Sequence, residues 1–115
     1  MWNSSSRAPF TRKLLRLAGD AADELLSAIQ SELHRKPDRG AMVPGLGGVR
    51  KARLANPLRG KGKRGGYRYL YLYLEHRQHI HLLLLRDKNE QEDASEGQRR
   101  QIREWVAQLK KDSGG

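Results

Sequence analysis

Tyr67 to Leu74 reads YRYLYLYL, and the period of that octet sets the fold class. Tyrosine recurs at every second position, with Arg68, Leu70, Leu72 and Leu74 between. A repeat of two is the periodicity of a β-strand, whose successive side chains leave opposite faces. Working outward, Glu75 to Gln78 is expected to be a turn and His79 to Arg86 the return strand of a hairpin. On the other side, Val49 to Ala55 alternates as well, with Ala52 and Leu54 on one face and Lys51 and Arg53 on the other. Two glycine-rich loops flank that strand: GAMVPGLGG (Gly40 to Gly48) and NPLRGKGKRGG (Asn56 to Gly66).

Helical patterns lie on both sides of these strands. Thr11 is placed to cap a short helix that runs through Ala18 and stops at Gly19. Asp20 reads as the N-cap of a second helix, with Asp23 and Glu24 in its first turn and Leu25, Leu26, Ile29 and Leu33 on one face. Pro37 ends it. Ser95, with Gln98 three residues on, has the spacing of a capping box. Ile102, Trp105, Val106 and Leu109 give that last helix its apolar stripe. The expected architecture is α+β: two N-terminal helices packed on a small antiparallel sheet of about three strands, with a closing C-terminal helix. Trp2 and Phe10 suit a short N-terminal edge strand, although Ser4 to Ser6 argue against a long one.

The chain has 115 residues, one domain's worth, with a core expected over 10–110 and loose ends at 1–9 and 112–115. There is no cysteine, which excludes disulfides and thiolate metal sites and suits a reducing compartment. The longest apolar run, Leu82 to Leu85, is far too short to cross a bilayer, and Met1 to Phe10 lacks the apolar core of a secretory signal. The cytoplasm, away from any membrane, is the expected location.

Twenty-three Lys and Arg stand against thirteen Asp and Glu, a net charge of +10. The signs are segregated. No acidic residue occurs between Asp38 and Glu75, where nine basic ones fall: Arg39, Arg50, Lys51, Arg53, Arg59, Lys61, Lys63, Arg64 and Arg68. Strands that enter and leave one loop bring their charges together, and converging cations repel unless an anion joins them. A polyanion, most often nucleic acid, is the implied ligand. The loop RGKGKRGG (Arg59 to Gly66) lacks the spacing and the terminal Lys-Ser/Thr of a Walker loop. It is equally readable as a solvated basic hairpin loop. The four tyrosines offer stacking faces for bases, but ordinary packing against a helix is the simpler reading. The histidines His34, His76, His79 and His81 complete no familiar metal site or catalytic triad. Physical reasoning alone stops at RNA binding, with cleavage open.

Three segments resemble a known family. GLGGVRKARLA (Gly45 to Ala55), GKGKRGGYRYLY (Gly60 to Tyr71) and LLLLRDKNE (Leu82 to Glu90) are similar to the RelE/HigB superfamily of bacterial type II toxins. The resemblance implies a small α+β endoribonuclease that cuts messenger RNA on the ribosome. It implies cleavage through the RNA's own 2′-hydroxyl, with no metal or other cofactor. It also implies a cognate antitoxin, for this branch a helix-turn-helix protein of the HigA kind. Arg50, Lys51 and Arg53 match the family's first basic motif, Lys61, Lys63, Arg64 and Arg68 the second, and Lys88 the third; Tyr71 matches a strand tyrosine. On that basis Arg64 and Arg68 would stabilise the pentavalent phosphate and Lys88 would assist there or exchange protons. Arg50, Lys51, Arg53, Lys61, Lys63, Tyr71 and Arg86 would contact message or ribosome. The sequence departs from the pattern where Arg86, followed by Asp87, stands in place of a tyrosine, and where Pro57 and Leu58 lengthen the basic loop. A ParE-like gyrase poison and a non-catalytic RNA-binding protein are the competing readings.

Overall fold

The computed structural model describes residues 3–6, 8–55, 66–75, 78–87 and 95–112, with the backbone alone at 3–6 and 55. In chain order the elements are β1 (Asn3–Ser6), α1 (Ala8–Ala18), a 3-10 turn (Gly19–Ala21), α2 (Ala22–Arg35), β2 (Ala41–Met42), β3 (Val49–Ala55), β4 (Gly66–Leu74), β5 (His79–Asp87) and α3 (Glu96–Asp112). The strands form one five-stranded sheet in the order β1-β5-β4-β3-β2. The expected meander is its centre, antiparallel throughout. A short strand is added at each edge. β2 pairs antiparallel with β3 inside what reads from sequence as a loop, and β1 runs parallel to β5 from Asn3↔His79 to Ser6↔Leu82. The serines do not prevent that pairing, because ladder hydrogen bonds are made by backbone.

The alternation of β4 divides the core in two. Tyr67, Tyr69 and Tyr71 face α1 and α2, where Phe10, Leu14, Leu25, Ile29 and Leu33 pack on them with Ile80 and Leu82. Leu70, Leu72 and Leu74 face the opposite side, under Ile102, Val106 and Leu109 of α3. Burying each such aliphatic side chain contributes about 1.5–3 kcal/mol, so both faces hold the sheet in place. Leu70 pairs with Leu84 but Tyr71 with Leu82, which leaves Leu83 as the extra residue of a β-bulge. Leu83 and Leu84 consequently both join the α3 side of the core.

Several element ends differ from the sequence expectation. α1 starts at Ala8 rather than Thr11, with Pro9 in the first turn, where its missing N–H leaves no bond unmade. Asp20 does not cap α2. It sits in the 3-10 turn, and the N-cap position is Ala21, which makes no side-chain cap bond. Gly19 breaks α1 as expected, at φ 51°. α2 ends at Arg35, and Lys36, just before Pro37, is driven to φ −146°, ψ 86°.

Candidate nucleic-acid interface

The register of the three central strands positions the cations. Arg53 on β3 lies opposite Arg68 on β4, and Arg68 lies opposite Arg86 on β5. Directly paired residues have Cα atoms about 5 Å apart, so three guanidinium groups leave the sheet side by side. Arg68 sits between Tyr67 and Tyr69, and the row therefore projects from the face that carries Leu70 and α3. Lys51, opposite Leu70, lies on the same face one pleat along. Like charges placed opposite one another destabilise a sheet. The mutual repulsion within this row works against folding, and an anion bridging it would relieve that repulsion.

Burial sharpens the point. Arg53 is exposed and Lys51 and Arg68 are half-buried. Arg86 retains only 8% of its surface. Its guanidinium donates to Gln98 Oε1 at 2.9 Å. Gln98 is fixed in turn by the expected capping box: its Oε1 accepts from the Ser95 amide at 3.0 Å, and its own amide donates to Ser95 Oγ at 3.2 Å. The first turn of α3 thus ties down one end of the row. In its middle, Nε–H of Arg68 is buried and, among the described residues, has no hydrogen-bond partner. Arg68 is one of the residues around a small hollow, with Lys51, Tyr69, Leu70, Leu84 and Arg86. A buried donor left unmade costs about 1–3 kcal/mol, more when it is charged.

Other expected site residues lie elsewhere. Arg50 leaves the opposite face and donates to the carbonyls of Gly40 at 2.7 Å and Asp38 at 3.2 Å. Tyr71 is fully buried on that face. Its hydroxyl accepts from the Gly40 amide at 3.0 Å and donates to the Pro37 carbonyl at 2.7 Å. Gly40 is needed there, because a Cβ would stand 2.8 Å from the Lys51 carbonyl oxygen. Both residues brace the turn between α2 and β3 and are turned away from the arginine row. Lys61, Lys63, Arg64 and Lys88 lie outside the described residues, as do Pro57 and Leu58.

The tyrosines supply no base near neutrality. Burial pushes the Tyr69 phenol up to about 12, against the lowering effect of the Arg39 guanidinium, which donates to its hydroxyl at 3.1 Å. Tyr71 is likewise raised by burial. Arg39 also donates to the Arg53 carbonyl at 3.0 Å and pairs with Glu32 at 3.1 Å, so it works as a strut. His79 and His81 stack at 4.2 Å with ring planes 9° apart. They share the row's face but lie opposite Leu74 and Leu72, at the far end of β5.

Sequence reasoning passed over a further group of cations. Arg12, Lys13 and Arg16 of α1 meet Arg86 and Gln98 across a cleft of about 310 Å³. The available signal was TRKLLR, three cations within one and a half helical turns and no carboxylate.

No family profile matches the sequence. Solved structures do resemble it. The isolated E. coli RelE toxin superposes with a TM-score of 0.54 at 15% identity, over 80% of this chain and 89% of that one. A chain of the intact E. coli RelBE toxin–antitoxin complex gives 0.54 at 16% identity, over 79% of this chain and 100% of that one. A double mutant of E. coli RelE in the free state gives 0.52 at 15% identity, over 74% and 81%. At such identities the shared property is the architecture: this chain has the fold of the RelE toxins.

Proposed function

We propose that this protein is the toxin of a bacterial type II toxin–antitoxin system, a HigB-like endoribonuclease of the cytoplasm that cuts messenger RNA on the ribosome. The observation that carries the reading is the in-register row Arg53, Arg68 and Arg86, with a buried donor on Arg68 that has no partner among the described residues. Arginine stays protonated and offers a planar fork of donors suited to phosphate oxygens. Aimed at phosphorus, that fork stabilises the negative charge that develops as a pentavalent phosphorane forms.

In the proposed step the RNA's 2′-oxygen bonds to the adjacent phosphorus and loses its proton to a base. The bond from phosphorus to the 5′-oxygen breaks, and that oxygen takes up a proton, leaving a 2′,3′-cyclic phosphate and a 5′-hydroxyl. Arg68 and Arg86 hold the non-bridging oxygens, and Lys51 and Arg53 hold neighbouring phosphates. Arg64, four residues before Arg68, and Lys88, two after Arg86, are the candidates for further charge neutralisation and proton transfer. Lys61 and Lys63 extend the basic surface towards message or ribosomal RNA. A helix-turn-helix antitoxin of the HigA kind is the proposed partner.

Brief induction in bacteria, followed by mapping of new mRNA 5′ ends with and without a translation block, tests this. In-frame cuts that vanish when translation stops are expected. Growth arrest with intact messages and a DNA-damage response would replace the reading with gyrase poisoning. RNA binding with neither arrest nor cuts would reduce the protein to a binder.

A further inference from the structure

We infer that the cleft between α1 and the start of α3 is a second anion subsite, which takes the phosphodiester backbone of RNA leaving the arginine row. The inference rests on the function proposed above and extends it to residues outside the sheet.

β1 pairs with β5 only as far as Leu82, so along Leu84 to Arg86 the neighbour of β5 on that side is α1. There the cleft of about 310 Å³ opens, lined by Arg12, Lys13, Arg16, Arg86, Gln98 and Leu84 among others, with no carboxylate among the described residues of its wall. Arg12 and Arg16 are exposed. They are four residues apart and therefore on one face of the helix, about one turn from each other. α1 itself contains no acidic residue that would neutralise them. Arg86 belongs both to this cleft and to the hollow beneath the arginine row. Its bond to Gln98 holds it at the junction. Through Arg86 the cations of the row, Lys51, Arg53 and Arg68, adjoin those of the cleft, Arg12 and Arg16, and together they make a track. A ligand with charges repeated along a chain uses such a track at every step, and a single phosphate would leave most of it empty.

Two arginines on single-stranded RNA contribute about 0.7 each to the slope of log K against log salt. The variant R12A/R16A is accordingly expected to lower the slope by about 1.4, and to bind an unstructured uridine decamer about 25-fold more weakly at 0.1 M salt with little loss near 1 M. The variant R35A/K36A, which removes the same charge from exposed positions at the end of α2, controls for net charge and should keep the wild-type slope. A hairpin RNA titrated in parallel separates the two sources of phosphodiester. Loss confined to the decamer assigns the cleft to message, and loss confined to the hairpin assigns it to structured RNA such as that of the ribosome.

An unchanged slope for R12A/R16A with both RNAs, in a protein that still binds and cleaves, overturns the cleft and leaves the proposed function standing. So does weakened binding of a poly-glutamate peptide with RNA binding intact, which would make the cleft a contact for an acidic protein. A wild-type protein that does not bind RNA takes both readings down together. Thermal unfolding of each variant checks the fold, which exposed substitutions of this kind should leave intact.

Discussion

The two faces of the sheet carry polar groups on opposite terms. On the face under α1 and α2, three polar side chains have their bonds inside the fold. The Tyr71 hydroxyl is held between Gly40 and Pro37, the Tyr69 hydroxyl accepts from Arg39, and Arg50 clasps two carbonyls. On the α3 face, three arginines are lined up against one another, and the middle one keeps a buried donor without a partner among the described residues. Buried polar groups are normally satisfied, so the first face reads as scaffold and the second suits the proposed contact with an anion. Both sets come from the same strands, and Arg50 and Lys51 are chain neighbours. Charge by itself therefore says little about role, and the direction of the side chain decides it.

The sharpest way to break this contrast is Arg68→Ala. If the row stabilises charge at phosphorus, message cleavage should fall about 100- to 1,000-fold, the usual cost of removing one such donor. The melting temperature should hold or rise, since a repulsion has been removed. A large drop in melting temperature with cleavage preserved would make Arg68 scaffold and erase the distinction. Tyr71→Phe asks the converse question. It strands the Gly40 amide and the Pro37 carbonyl, at about 1–3 kcal/mol. For a domain of this size that lowers the melting temperature by about 4 °C per kcal/mol. RNA affinity of the folded protein should not change, and a selective loss of affinity would move Tyr71 into the site.

How much of this was legible in the sequence differs between the faces as well. Alternation in YRYLYLYL and VRKARLA gave β4 and β3 nearly to the residue, and Ser95 with Gln98 gave the start of α3. Those signals are local, carried by periodicity or by a bond three residues long. β1 and β2 were harder to see because edge pairing is chosen by distant backbone: Ser4 to Ser6 have no strand-like pattern, yet they find β5 across more than seventy residues. The site was half legible. Basic residues on β3 and β4 pointed to the proposed anion surface, but which of Arg50 and Lys51 faces it depends on register. Arg86 joins the row only through β5 pairing, and Arg12 and Arg16 reach it through tertiary packing, which no spacing along the chain encodes.

Arg53→Ala offers a finer test within the α3 face. Arg53 is the exposed end of the row. Losing one phosphate contact to a single strand should reduce affinity about fivefold at 0.1 M salt, with a slope shallower by about 0.7 and no change in stability. An equal effect from Arg50→Ala would deny that direction matters.

The smallest effect under ordinary conditions concerns the scaffold face alone. Folding raises the Tyr69 phenol from 10.0 to about 12 by burying it, with Arg39 opposing; burial also raises Tyr67 and Tyr71. A phenol with a raised folded-state value is held neutral by the fold and ionises first in the unfolded chain. Its contribution is complete below pH 10 and is lost as pH climbs from about 10 towards about 12. Denaturant unfolding should therefore show no tyrosine-linked change around neutrality and a stability that declines above pH 10. Tyr69→Phe should start from a lower value, having lost the bond from Arg39, and decline less steeply over that interval. Identical slopes for the two proteins would mean that Tyr69 ionises as freely in the fold as outside it, and the internal satisfaction attributed to this face would fail at Tyr69.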